Sequence, residues 1–103
     1  MASRAEALVA DEAARDLEEA VFYVGEVLGE PTAAAELPAL FDEFLSNVEQ
    51  FPELYPLCGD AFLAMQGFRH ADMKGYSAVY FAEPGVVHVV GFFRQTQDCA
   101  RLV

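Results

Sequence analysis

Two apolar segments near the C-terminus constrain the fold most. Tyr76–Glu83 (YSAVYFAE) and residues 86–95 (VVHVVGFFRQ) are rich in β-branched and aromatic residues, and only Pro84-Gly85 separates them. Two such runs around a proline–glycine turn define a β-hairpin. A chain of 103 residues fits one domain, so the remainder must cover at least one face of the sheet that this hairpin begins.

The N-terminal half supplies that cover. Residues 5–10 (AEALVA) are short and apolar and predict a strand. Asp11 follows as an N-cap, and Leu17, Ala20, Val21, Val24 and Leu28 then recur at helical spacing. Gly29 closes this helix and Pro31 opens the next. The second helix spans residues 31–51, with Leu37, Phe41, Phe44, Leu45, Val48 and Phe51 on its apolar face. Pro38 conflicts with it, and either kinks the helix or begins a new one. Two helices with so short a joint form an antiparallel hairpin. Prolines and glycines punctuate residues 51–67, where a short strand or turn is expected around Ala61–Met65. Residues 68–73 read as a further strand, with Arg69 and Ala71 on one side and His70 and Asp72 on the other. The expected architecture is a single α+β domain over residues 1–103. An N-terminal strand and an antiparallel helical hairpin pack on one face of a mainly antiparallel sheet, and the other face is partly open.

Composition narrows the function classes. The net charge is −11, and it is unevenly placed. Residues 1–68 carry 14 acids against Arg4 and Arg15, whereas residues 69–103 carry Arg69, Lys74, Arg94 and Arg101 against Asp72, Glu83 and Asp98. The acidic part repels nucleic acid, so any contact with RNA or DNA must run through the C-terminal third. The same acids suit a partner that turns basic charge toward the helices. The hydrophobic fraction of 54% exceeds what a small core needs and leaves apolar surface for a partner, a second copy of the chain included. No apolar run is long enough to span a bilayer and the N-terminus lacks a signal-peptide core, which makes the cytoplasm the expected location. Cys58 and Cys99 are too few for a disulfide framework and are not spaced as a zinc pair, so two ordinary thiols are expected. There is no glycine-rich phosphate loop and no metal-spaced His/Cys cluster, hence no expected cofactor or metal.

A pattern spread over nearly the whole chain resembles the RelE/ParE superfamily, the toxins of bacterial type II toxin–antitoxin systems, also known as plasmid stabilisation proteins. Ala13-Ala14-Arg15-Asp16-Leu17 fits its A-x-x-D-L, with Tyr23 in the usual aromatic place later on that helix. Pro31 with Ala33 and Ala34 resembles its P-x-A-A opening of the second helix, and Phe51-Pro52 with Pro56 its FPxxxP exit. Gly67-Phe68-Arg69 resembles a G-x-R strand start. Tyr76 and Tyr80 resemble its Y-R-x-x-Y strand, and Phe93 with Gln97-Asp98 its F-H-x-x-Q-D ending. The resemblance implies one of two activities. RelE-like members cut messenger RNA in the ribosome, whereas ParE-like members inhibit DNA gyrase without being nucleases. Both are held by a cognate antitoxin.

The residues favour the ParE-like branch. Cleavage at a 2′-hydroxyl needs a group to activate it, a group to stabilise the phosphorane charge and a group to protonate the leaving oxygen. RelE-like sites supply these with arginines, lysines and a tyrosine or histidine on the open sheet face. Here Ser77 stands where the resemblance places an arginine, Arg94 where it places a histidine, and Thr96 where an arginine is common. Gly91 replaces a residue that is often polar. A nuclease would have to be built from Arg69, His70 and Arg94. A binding site would use Arg69, Lys74 and Arg94, with the arginines on a phosphate or an acidic antitoxin segment. Each arginine could equally cap a strand end or pair with Asp72 or Asp98. His88 reads as a tucked-in or surface histidine, Tyr76 and Tyr80 as core residues, and Gln97 and Asp98 as fixing the chain as it leaves the sheet. A toxin that binds its target is therefore expected, with an altered ribonuclease and a degenerate, non-toxic interaction module as the alternatives.

Overall fold

A computed structural model describes residues 4–94. The order of elements is β1 (Glu6–Val9), α1 (Asp11–Phe22), a π-helical turn (Tyr23–Val27), α2 (Pro31–Gln50), α3 (Ala61–Met65), β2 (Arg69–Met73), β3 (Tyr76–Glu83) and β4 (Val86–Arg94). The four strands form one sheet in the order β1-β4-β3-β2. β2, β3 and β4 are antiparallel neighbours, and β1 joins β4 in parallel, Glu6 opposite Val86 and Val9 opposite Val89. The α+β architecture is as expected, and the parallel strand makes the sheet mixed. The parallel pairing follows from the helical hairpin, which carries the chain from β1 across the sheet before β2 begins.

The two hairpin turns differ in their chemistry. Pro84-Gly85 joins β3 to β4 as the sequence signals. Lys74-Gly75 joins β2 to β3 with both residues at positive φ, 50° and 82°. Two successive left-handed residues match the twist of a tight hairpin, and Lys74 tolerates a region that non-glycine residues seldom enter.

The helices cover one sheet face. Leu37, Phe41, Phe44 and Val48 of α2 meet Ala71, Met73, Tyr76, Ala78, Tyr80, Val87, Val89 and Phe92 of the sheet in the main core. Tyr80 is fully buried at its centre. Its ring packs edge-on against Phe44 and Tyr55 at centroid distances of 5.6 and 6.3 Å, and its hydroxyl donates to the Pro52 carbonyl at 2.8 Å. The same burial pushes the Tyr80 phenol above its ordinary pKa, so it stays a neutral donor.

Five expectations are corrected. Ala61–Met65 is a helical turn rather than a strand or turn, because Asp60 caps it: the Leu63 N–H donates to Asp60 Oδ1 at 3.0 Å. Pro38 does not begin a new helix: α2 runs through it, with Pro38 on the exposed side. The first helix does not keep an α-helical period to Leu28. Leu28 N–H donates five residues back to Tyr23 C=O at 2.9 Å, and that wider turn rotates Val27 and Leu28 out to 60% and 51% exposure. Phe51 lies beyond the last turn of α2 and is exposed. Cys58 is buried and disulfide-bonded rather than an ordinary thiol; Cys99 lies outside the described residues.

The second sheet face is partly covered. Cys58 and Leu63 pack on Val79 and Phe93, with Phe68 and Val90 at the margin. The Phe93 ring folds back over Gly91, where an added Cβ would stand only 2.3 Å from it, so a side chain at 91 would displace a buried ring. No helix among the described residues is long and apolar enough to cross a membrane.

Removing only the Tyr80 hydroxyl should leave the Pro52 carbonyl without its donor. Tyr80→Phe is expected to lower unfolding stability by about 0.5–1.5 kcal/mol, read from urea denaturation of the two proteins. An unchanged midpoint would show that the hydroxyl does not hold the loop.

Candidate binding groove at the sheet end

The sequence-predicted cations do not meet at one point. Arg69 opens β2 on the helix side, in phase with buried Ala71 and Met73. Its Nη1 donates to Tyr55 C=O at 2.7 Å and reaches Glu53 C=O at 3.5 Å. It pairs across the sheet with Tyr80, whereas Arg94 pairs with Tyr76, on the far side of β3. Tyr76 and Tyr80 are four residues apart, roughly 13 Å along the strand, which separates the two guanidinium groups further. Arg69 is thus a brace for the loop after α2.

His70 points to the opposite face of the sheet. Its Nδ1 lies 2.9 Å from Asp72 Oδ1, and Ser77 donates to the same oxygen at 2.5 Å. Burial acts to raise the Asp72 carboxyl, but the hydrogen bonds from Ser77 and His70 outweigh it and hold the group below its ordinary value. Ser77 and His70 share one carboxylate oxygen and do not contact each other, so the trio is no nucleophile–base–acid relay. On the same face His88 stacks on Phe81 at 4.7 Å and pairs with Glu83 at 2.9 Å.

Arg94 and Lys74 do come together, at the other end of the sheet. The Arg94 guanidinium sits over the Tyr23 ring, 4.3 Å from its centroid. Lys74 Nζ, from the β2–β3 turn, pairs with Glu36 Oε2 at 3.1 Å. Between the π-turn and the strand ends lie two adjoining cavities of about 480 and 400 Å³, both lined by Tyr23, Tyr76 and Arg94. The first adds Asp16, Glu19, Phe22 and Phe92; the second adds Leu28, Glu30, Leu37 and Lys74. Phe22 is 63% exposed at its edge, beside exposed Val27 and Leu28.

Phe22 is the groove residue that sequence reasoning passed over, and Tyr23 was singled out only as an aromatic of the first helix, not as part of a groove. The available signal was two adjacent aromatic side chains off the buried stripe of Leu17, Ala20, Val21 and Val24. Their exposure depends on the π-turn, which helical periodicity does not reveal. Gln97 and Asp98, expected to fix the exit of the last strand, lie outside the described residues, as does Thr96. Among the described residues no group of three His, Cys, Asp or Glu side chains is placed to hold a metal.

The fold has a counterpart among solved structures. A solved structure of the chromosomal ParDE TA system from P. aeruginosa aligns with a TM-score of 0.67, over 90% of this chain and 98% of that one, at 17% identity. The chain shares the fold of that ParDE structure. No family model and no curated protein matches the sequence.

The two arginines should differ in kind. Arg69→Ala is expected to cost about 1–3 kcal/mol of stability, since it removes a charged donor from a partly buried carbonyl. Arg94→Ala should cost less than about 1 kcal/mol, the value of an exposed cation–π contact. Equal losses in paired denaturation curves would contradict the separate roles.

Proposed function

We propose that this protein is the toxin component of a bacterial type II toxin–antitoxin system, ParE-like in acting by binding its target, DNA gyrase, and neutralised by a cognate antitoxin. The likeness to the ParDE structure supports the system, at the level of the fold. The choice of binding over RNA cleavage rests on one observation. Arg69 donates its Nη1 to the Tyr55 carbonyl, His70 faces the other side of the sheet, and Arg94 lies at the opposite end on Tyr23. Arg69 and Arg94 at opposite ends of the sheet, with His70 on its other face, speak against one shared phosphate site. A net charge of −11 adds a repulsion from ribosomal RNA that a protein target does not impose.

A binding toxin also accounts for exposed Phe22, Val27 and Leu28, since a partner must cover apolar surface to gain affinity. Induced expression in a bacterial host should arrest growth, and co-expression of a small protein encoded beside this gene should relieve the arrest. The purified protein should slow supercoiling by purified gyrase. Normal growth at high expression would contradict the proposal, and arrest with unimpaired gyrase would move the target elsewhere.

A further inference from the structure

The groove at the sheet end has a definite charge preference. Its two cations are already engaged from within the chain: Lys74 by Glu36, and Arg94 by the face of Tyr23. Its carboxylates are not balanced in the same way. Among the described residues Glu19 and Glu30 are exposed and make no ion pair, and Asp16 accepts a hydrogen bond only from the Phe92 N–H, at 3.4 Å. The neighbouring chain deepens the imbalance, with 14 acids and two arginines in residues 1–68. An incoming anion would find both cations occupied and three carboxylates facing it. An incoming cation would find the carboxylates open and one aromatic face whose current occupant is exposed.

The apolar lining sets the rest of the chemistry. Phe22, Val27 and Leu28 flank the groove, and Tyr76 and Phe92 stack in parallel at 5.2 Å beneath it. Such a surface takes aliphatic side chains, with a cation placed between them where a π face and carboxylates converge.

We propose that this groove receives a partner segment carrying aliphatic side chains and an arginine or lysine, whose cation replaces Arg94 on the Tyr23 ring between Asp16 and Glu19. The occupant is a protein segment of basic, apolar character. An acidic segment gripped by Arg94 and Lys74 would use the same groove with the opposite charge. The inference rests on the proposed function only for where the segment comes from, namely an antitoxin. In the unpartnered protein Arg94 holds the ring face, so binding must first displace it. The occupant competes with a residue of the chain itself.

That competition gives a sign that no general stickiness would produce. Two synthetic peptides would be compared by NMR titration, alike in their leucines but with arginines in one and glutamates in the other at every remaining position. The arginine peptide should bind and shift the resonances of Phe22, Tyr23 and Val27, while the glutamate peptide should not. Arg94→Ala should tighten the arginine peptide by roughly fivefold, because it removes the internal competitor from an exposed cation–π site. Tyr23→Leu should weaken it by a similar factor, and Tyr23→Phe, which keeps the ring and the fold, should bind nearly as well as wild type. Preferential binding of the glutamate peptide, weaker arginine-peptide binding in Arg94→Ala, shifts confined to other surfaces, or no binding by either peptide would overturn the proposal. Growth arrest and its relief by a neighbouring gene product are measured independently. If they persist while the peptide predictions fail, the groove assignment falls and the toxin reading stands.

Discussion

The fully buried Tyr80 ties the structure together. Its ring closes the aromatic core formed with Phe44 and Tyr55, and its hydroxyl fixes the Pro52 carbonyl, so one side chain on the central strand sets where the loop after α2 can run. That loop then offers the Tyr55 carbonyl to Arg69. Arg69 is therefore held in place by the core, with its Nη1 directed at the loop carbonyl. The arginine at the start of β2 thus braces the fold, and the two cavities beside Arg94 lie at the other end of the sheet.

At that end the π-turn decides what is exposed. An α-helical continuation would carry Leu28 onto the buried stripe with Val24. The wider turn leaves Val24 inside and turns Val27 and Leu28 outward, next to Phe22. The same turn presents the Tyr23 ring to Arg94. A local change in helical period thus converts part of a core-forming helix into an apolar rim above a cavity, the form that partner-binding surfaces take.

Much of the architecture was legible in the residues. Alternation in β2, β3 and β4 places Arg69 and His70 on opposite faces, and the Pro84-Gly85 turn sets the hairpin. The stripe Leu37, Phe41, Phe44, Val48 identifies the buried face of α2. What escaped depends on single hydrogen bonds or on distant partners. Asp60 turns Ala61–Met65 into a helix through one side-chain cap. The parallel pairing of β1 with β4 joins segments far apart in the chain. For the site, the separation of Arg69 from Arg94 required the strand register, and the groove required the π-turn, neither of which periodicity encodes. The depleted cation set was visible from the start: with Ser77 in place of an arginine, the strand carries a donor that serves Asp72 rather than a substrate phosphate.

A fold can support different activities, so the proposed choice of binding over cleavage rests on how these side chains are arranged. Arg69, His70 and Arg94 are assigned here to a loop brace, a carboxylate pair and an aromatic stack, three separate tasks at separate places. The most direct test is to add the purified protein to a reconstituted translation system with end-labelled messenger RNA. Full-length messenger throughout the reaction is the predicted result. Cleavage that disappears on Arg69→Ala or Arg94→Ala, with both variants folded, would contradict the account.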